Sequence, residues 1–316
     1  MTDAAITPRA IMSIGFVGLG VMGGPMCANL VQRGGWPVVA FDIDAGRMAE
    51  AAVAGARTAT GLDGLARAAD VVILSLPDGA AVEQVVATLA PHLAAGATII
   101  DTSTAPVALT RRLGAEMAAR GLVFVDAPVA RTREAARRGE LSIMVGAMPA
   151  HFAHVQPILA TMGSDVTLCG ETGAGQAVKI LNNMLLFMNV AAIAEAMAIG
   201  RRSGVALDVL LATIAKGSGD SFALRNHALK SMLPREFPER AFSTRYAIKD
   251  LGYALELGAA AGLDLKGAKL TMRRLLASDA AGNGERYFPA LLEITDPALG
   301  APAPSQHRKS PGTNGG

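Results

Sequence analysis

Three groups of residues in this chain have types and spacings that support chemistry. The first is Gly18-Leu19-Gly20-Val21-Met22-Gly23, a G-x-G-x-x-G that follows the apolar run at residues 14–17 and opens a helical pattern near Met22. In that context Gly18 permits a tight turn, Gly20 lets the backbone approach a pyrophosphate, and Gly23 lets helix and strand pack closely, while the helix start offers free N–H groups to phosphates. The second is Asp42, which ends the next apolar run, where a carboxylate accepts hydrogen bonds from ribose hydroxyls. A carboxylate there repels a 2′-phosphate, and Ile43 and Asp44 supply no cation, although Arg47 lies within reach. NAD is therefore expected over NADP, with NADP left open. The third is Lys179 with Asn183, four residues apart on one face of a long apolar helical pattern. A lysine there has two readings. Its stem packs on the surface and its ammonium reaches water, or it lodges in a cleft where desolvation and the helix N-terminus tune it for proton transfer.

These residues need a framework, and the surrounding pattern describes one. Short apolar runs at 14–17, 38–42, 71–76, 98–101, 123–126 and 141–145 alternate with helical patterns at 22–33, 45–54, 80–89 and 106–120. Continuous apolar runs bounded by Gly, Asp or Pro are what strands buried on both faces of a parallel sheet look like. The fold class read from this is α/β, with a doubly wound Rossmann-type domain over residues 13–172. After Gly170 the alternation stops. Helical patterns at 175–203, 206–216, 222–232, 244–261 and 266–280 predict an all-α domain over 173–294 with 175–203 as its spine, and the Pro-, Gly- and Ser-rich stretch 295–316 is expected to be a disordered tail.

Composition narrows the function classes. The 316 residues are 51% hydrophobic but 4% aromatic, and 29 basic side chains face 27 acidic ones without clustering, so nothing in the charge pattern points to a nucleic-acid partner. Cys27 and Cys169 stand far apart with no Cys/His partner pattern, and the histidines at 92, 151, 154, 227 and 307 have no metal-ligand spacing, so no disulfide framework and no metal are expected. The first dozen residues hold no secretory segment, and the apolar stretch 184–199 is interrupted by Asn189 and Glu195, so the chain is expected to be cytoplasmic with no membrane partner. The apolar excess of the helical half predicts a homodimer or homotetramer.

Four motifs in order make the chain similar to the β-hydroxyacid dehydrogenase family, the group containing 3-hydroxyisobutyrate dehydrogenase, tartronate semialdehyde reductase and, more distantly, 6-phosphogluconate dehydrogenase. They are Gly18 to Gly23 with Pro25-Met26 and Asn29-Leu30; Asp101-Thr102-Ser103-Thr104 with Pro106, then Asp126-Ala127-Pro128-Val129, Ala136 and Gly139; the segment from Gly173 to Asn183; and Lys249-Asp250-Leu251. The resemblance spans about residues 13 to 290. It implies that Lys179 is the acid/base that serves the substrate oxygen while hydride moves to or from nicotinamide, and that Asn183 orients the substrate. It further implies that Thr104 lies beside the nicotinamide ribose, that Leu76-Pro77 lies against the cofactor, and that Lys249 closes over the nicotinamide end. The implied partner is a small hydroxy acid or semialdehyde.

One loop departs from the family. Where most members have Ser-Gly-Gly, this chain has Ala130-Arg131-Thr132. Either Arg131 points to solvent while loop amides bind the substrate, or its guanidinium fork grips a substrate anion with Thr132 as a hydroxyl donor. The second reading resembles the loop of sulfolactaldehyde reductases and makes a sulfonated or dianionic aldehyde an alternative to 3-hydroxyisobutyrate. An imine reductase is a further alternative, which Lys179 argues against, and a non-enzymatic dinucleotide reader would lose the lysine. Asn182 stands where phosphogluconate enzymes carry a histidine beside the lysine. The nearby Arg133, Arg137 and Arg138 are read as a mostly solvated face.

Overall fold

A computed structural model of the chain describes residues 6–239 and 241–300. These divide into two compact units, one made of the chain up to Met184 together with Asp250–Leu265, the other of Leu185–Lys249 and the chain from Lys266 on.

The first unit is built on a sheet of nine strands: β1 (Ile14–Val17), β2 (Val38–Phe41), β3 (Arg57–Thr58), β4 (Val71–Leu74), β5 (Thr98–Asp101), β6 (Val123–Asp126), β7 (Val129–Ala130), β8 (Leu141–Gly146) and β9 (Gly163–Gly170). Its order is β3-β2-β1-β4-β5-β6-β8-β7 with β9 beside β8, and the first six strands are all parallel. That is the doubly wound order, with its switch point between β1 and β4. The helices interleaved with it are α1 (Gly23–Arg33), α2 (Ala45–Val53), α3 (Leu62–Ala68), α4 (Gly79–Leu89), α5 (Val107–Ala119), α6 (Arg133–Arg138) and α7 (Pro149–Leu159). Alternate residues of β4 enter different cores. Val71 and Ile73 pack with Ile14, Phe16, Met26 and Leu30, whereas Val72 and Leu74 pack with Leu65, Val82, Val86 and Leu89. Two-sided burial is why these strands read as unbroken apolar runs. Cys27 sits in the first of these cores, where burial pushes its thiol up to about 12 and keeps it an inert packing group.

The remaining helices are α8 (Ala174–Arg202), α9 (Leu207–Ile214), α10 (Thr244–Ala260) and α11 (Lys266–Ser278). The sequence places a domain boundary at 172/173, but the compact unit runs on to Met184 and takes in Asp250–Leu265 as well. The physical reason is that the start of α8 is bonded to the sheet, as described below, while the Gly79 backbone amide hydrogen-bonds the Tyr253 hydroxyl of α10.

The second unit centres on the later turns of α8. Phe187 is fully buried against Phe242 and Phe288, and His227 packs on Tyr287 and Phe288. The Tyr287 hydroxyl and His227 Nδ1 are hydrogen-bonded, and burial lowers the His227 imidazole to about 4, so it is neutral at physiological pH. By length and composition α8 is long and apolar enough to cross a membrane in spite of Asn189 and Glu195. The central helix of a domain passes the same test. The expected tail from 295 is also corrected. Leu292–Thr295 and Pro297–Gly300 are helical turns, and the buried Asp296 carboxylate is held by Arg201 at 2.9 Å and Arg202 at 3.0 Å. The rest of that stretch lies outside the described residues.

Candidate active site

The loop from Gly18 to Gly23 leaves the carboxyl end of β1 at the switch point and leads into α1. Gly18 has φ +92°, a left-handed conformation that glycine alone adopts freely. A Cβ on Gly23 would collide with the Gly18 carbonyl oxygen and stand 3.1 Å from Ser75 Cβ, so helix and loop are in direct backbone contact. At Gly20 an added Cβ would meet only Arg47 Nη1, at 3.6 Å, so that backbone is open to a large ligand. Among the described residues no side chain caps α1, whose N-cap is Met22. Within the first turn Pro25 has no N–H and the Gly24 and Met26 amides donate to the Gly20 and Met22 carbonyls at 2.9 and 3.2 Å, so an anion there falls to the amides of the loop and the very start of the helix. An open cradle above Gly20 next to an uncapped helix start fits the pyrophosphate of a dinucleotide.

Asp42 follows β2. Its Oδ2 accepts from the Leu19 amide at 2.6 Å, its Oδ1 accepts from the Asp44 amide at 2.9 Å, and Arg47 Nη1 stands 3.7 Å away. The carboxylate thus shapes the phosphate loop as well as marking the ribose end. Arg47 sits beside it, a cation that spacing alone left undecided.

Across the switch point, β4 is followed by Leu76 and Pro77, and the Leu76 amide donates to Ser103 Oγ at 2.9 Å. Ser103 in turn donates its amide to Asp101 Oδ1 at 2.9 Å. Thr104 lies in this loop, half exposed, between Ser103 and Ala105. Both of those neighbours are bonded to the side chain of Gln176 on α8: its Nε2 donates to the Ser103 carbonyl at 2.8 Å and its Oε1 accepts from the Ala105 amide at 3.1 Å. The cofactor turn after β4, the loop after β5 and the start of α8 are therefore one hydrogen-bonded assembly.

Lys179 and Asn183 project from α8 one turn apart, and both are buried, Lys179 with only 8% of its surface exposed. A lysine so buried is not one whose stem lies on the surface with its ammonium in open water. Asn183 is oriented on both sides. Its Nδ2 donates to Asp250 Oδ2 at 2.7 Å, and its Oδ1 accepts from Asn182 Nδ2 at 3.1 Å. Asp250 was visible in the sequence as part of a motif but had no role there. Its burial on α10 against Asn183 supplies one. Lys249, its neighbour in sequence, belongs to the second unit, where its ammonium stands 5.1 Å above the Tyr246 ring.

The loop at Ala130-Arg131-Thr132 differs from the sharper sequence reading. Arg131 Nη1 donates to the Glu140 carbonyl at 2.7 Å and to Ser164 Oγ at 2.9 Å, and Nη2 meets Asp165 Oδ2 at 2.6 Å. The fork expected to grip a substrate anion is engaged with β9 instead, because Ser164 and Asp165 are brought alongside by the β8–β9 pairing. Thr132 caps α6, its hydroxyl accepting from the Ala135 amide at 3.3 Å, and Ala130 pairs with Ser142 in the sheet. Arg133, Arg137 and Arg138 lie on an exposed face, where Glu134 and Glu140 are ion-paired with Arg137 and Arg138.

The arrangement combines a dinucleotide cradle with a buried amine beside an oriented carboxamide, a constellation suited to moving a proton at a substrate oxygen while a hydride moves at the adjacent carbon. Comparisons with known proteins agree with it. A family described as the NAD binding domain of 6-phosphogluconate dehydrogenase matches residues 13–170, and one described as NAD-binding of NADP-dependent 3-hydroxyisobutyrate dehydrogenase matches residues 173–295. The chain is 35% identical over 292 residues to a 2-(hydroxymethyl)glutarate dehydrogenase of Eubacterium barkeri, covering 92% of this chain and 96% of that protein. It is 37% identical over 253 residues to a 3-hydroxyisobutyrate dehydrogenase of Pseudomonas aeruginosa, covering 77% and 84% of the two. Among solved structures, the 3-hydroxyisobutyrate dehydrogenase of Mycobacterium tuberculosis with L-serine matches with a TM-score of 0.84 at 30% identity, over 91% of this chain and all of that one. With both halves matched and relatives similar over nearly its whole length, the chain belongs to the β-hydroxyacid dehydrogenase family of NAD(P)-dependent oxidoreductases.

Proposed function

We propose that this enzyme interconverts a 2-substituted 3-hydroxypropanoate, HOCH2–CHR–COO⁻, and its semialdehyde. The observation that carries the reading is the buried Lys179 one helical turn from Asn183, itself held by Asp250. Lys179 delivers a proton to the aldehyde oxygen in reduction and takes it from the hydroxyl in oxidation. Asn183 holds the same oxygen-bearing end of the substrate, its carboxamide fixed by Asp250 and Asn182 so that little orientation is lost on binding. Bound nicotinamide supplies or accepts the hydride. Gly20 and the start of α1 would hold the pyrophosphate, Asp42 the ribose hydroxyls, and Leu76, Pro77 and Thr104 the nicotinamide end. Hydroxyisobutyrate, 2-(hydroxymethyl)glutarate and serine, the small molecules named with the relatives, all contain HOCH2–CH–COO⁻ and differ in the third substituent.

The test is a screen of NADH and NADPH oxidation with methylmalonate semialdehyde, 2-formylglutarate, tartronate semialdehyde, succinate semialdehyde and sulfolactaldehyde. Turnover of an aldehyde that carries its carboxylate on the adjacent carbon is expected. Turnover of succinate semialdehyde alone, whose carboxylate lies one carbon further away, would sink the reading. Asp42 favours a 2′-hydroxyl while Arg47, 3.7 Å away, softens the discrimination, so NADH is expected to be preferred by about tenfold rather than absolutely. Arg131→Ala is expected to change KM for the substrate less than about threefold, since its exposed bridge to Asp165 is of the kind worth under about 1 kcal/mol. A large rise in KM confined to sulfolactaldehyde would instead favour the sulfonate reading.

Self-association rests on the helices. Leu185 and Ile199 on α8, Val209 on α9 and Leu270 and Leu276 on α11 are large apolar side chains left exposed. A homodimer or homotetramer covering such faces is expected in light scattering at micromolar concentration, and a monomer there would overturn it.

A further inference from the structure

Strands β5 and β6 run in parallel register and end together on Asp101 and Asp126, both with no exposed surface. Asp126 faces the start of α8. Its Oδ1 accepts from the Gly173 amide at 2.6 Å and its Oδ2 from the Gln176 amide at 2.8 Å, so a strand residue 47 positions upstream caps this helix. The fit is close. A Cβ on Gly175 would stand 2.9 Å from Asp126 Oδ2 and 2.9 Å from the Gly146 amide nitrogen, and one on Gly146 would stand 2.7 Å from Asp126 Oδ2. Gln176, also fully buried, uses its side chain as a second anchor, one end donating to the Ser103 carbonyl and the other accepting from the Ala105 amide. Four hydrogen bonds involving two side chains thus hold Gly173 and Gln176, six and three residues upstream of Lys179, to the end of the sheet from which the cofactor loops emerge. Asn183 is one further turn along the same rigid rod.

We propose that Asp126 and Gln176 are positioning residues for the reaction, a two-point clamp that sets where the Lys179 ammonium and the Asn183 carboxamide stand relative to the cofactor loops. This rests on the reading of Lys179 as the acid/base. The clamp places the amine through the helix, without either residue touching the reacting atoms. A displacement of about 1 Å at a reacting group costs on the order of a hundredfold in rate, so a loosened clamp shows itself in kcat. Burial raises the Asp126 carboxyl to about 6, against the two amide bonds that lower it and with the neighbouring Asp101 adding to the rise. The other titratable group beside it is the Cys169 thiol of β9, which burial keeps protonated. When pH falls through that value, a protonated oxygen replaces an acceptor opposite a backbone N–H, and the clamp weakens on the acid side.

The test uses Asp126→Asn and Gln176→Leu in the full chain, with kcat and KM for NADH and for the best semialdehyde, and amide hydrogen exchange across residues 173–183. Expected in both variants are a ten- to hundredfold fall in kcat and faster exchange in the first turns of α8, with KM for NADH within about threefold of wild type in Asp126→Asn, whose bonds go to the helix and not to the cofactor loops. The wild-type acid limb in kcat near pH 6 is expected to persist in Gln176→Leu and to disappear in Asp126→Asn. Unchanged kcat and exchange in both variants would overturn the clamp. So would a fall in kcat accompanied by equal loss of NADH binding and of protection throughout the sheet, which is a general structural defect. If the wild type reduces none of the aldehydes, the substrate reading has failed, and the exchange result by itself decides the clamp.

Discussion

Lys179→Ala is expected to lower kcat by several hundredfold while NADH still binds within about threefold of wild type. Proton transfer by a positioned acid/base contributes about 10²- to 10⁴-fold, and Lys179 is a buried amine on the face of α8 that also presents Asn183. The cofactor loops do not depend on it. The phosphate loop is held by Asp42 and by the Gly18–Gly23 backbone contact, and the turn after β4 by Ser103. Stopped-flow single turnovers with preloaded NADH separate chemistry from binding. Lys179→Arg is the stricter variant, since a guanidinium stays protonated and cannot accept the hydroxyl proton in the oxidative direction. A variant at Lys179 that kept more than a tenth of wild-type kcat would remove the lysine from the chemistry.

Gly23→Ala is expected to abolish useful cofactor affinity, raising Kd for NADH by about a hundredfold, which is about 2.7 kcal/mol. The added methyl lands on the Gly18 carbonyl, a backbone group that no rotamer change can move. The loop must shift away from α1, and the amides that receive the pyrophosphate shift with it. Because the collision exists without ligand, Tm is expected to fall as well, by about 5 °C. Gly20→Ala makes the contrast. Its methyl meets only the end of the Arg47 side chain at 3.6 Å, so Tm is expected to stay within about 1 °C while NADH affinity drops tenfold or more. Titration by fluorescence together with thermal melts of both variants checks the pair. Equal behaviour of the two would mean that the glycines do not divide helix packing from ligand approach as the geometry assigns.

The parallel core was legible because β1, β4, β5 and β6 are buried on both faces and therefore read as unbroken apolar runs. β9 was not. Gly163, Ser164 and Asp165 open it, and its only alternation is the short Asp165-Val166-Thr167-Leu168, in which Val166 and Leu168 pack on the core, too brief to mark a strand. α7 was missed for a related reason, with Pro149 at its start and Pro157 inside it. The Gly18–Gly23 loop, Asp42, Lys179 and Asn183 were legible because each belongs to a local pattern with fixed spacing. Partners distant in sequence were not. Asp126 and Gln176 are 50 residues apart and nothing in the sequence joins them until the sheet does. Asp250 meets Asn183 across 67 residues. Arg131 misled because a guanidinium near a substrate loop is ambiguous until its neighbours are known, and Ser164 and Asp165 lie on the strand that was not foreseen.

That strand gives Arg131 a different kind of value. Among the described residues β9 pairs with β8 alone, and an edge strand is a template on which the strand of another molecule can add. The Arg131 guanidinium forms an exposed ion pair with Asp165 and a hydrogen bond to Ser164, both residues of that strand. An ion pair on an edge strand is of the kind that discourages edge-to-edge association of sheets, a role distinct from substrate binding.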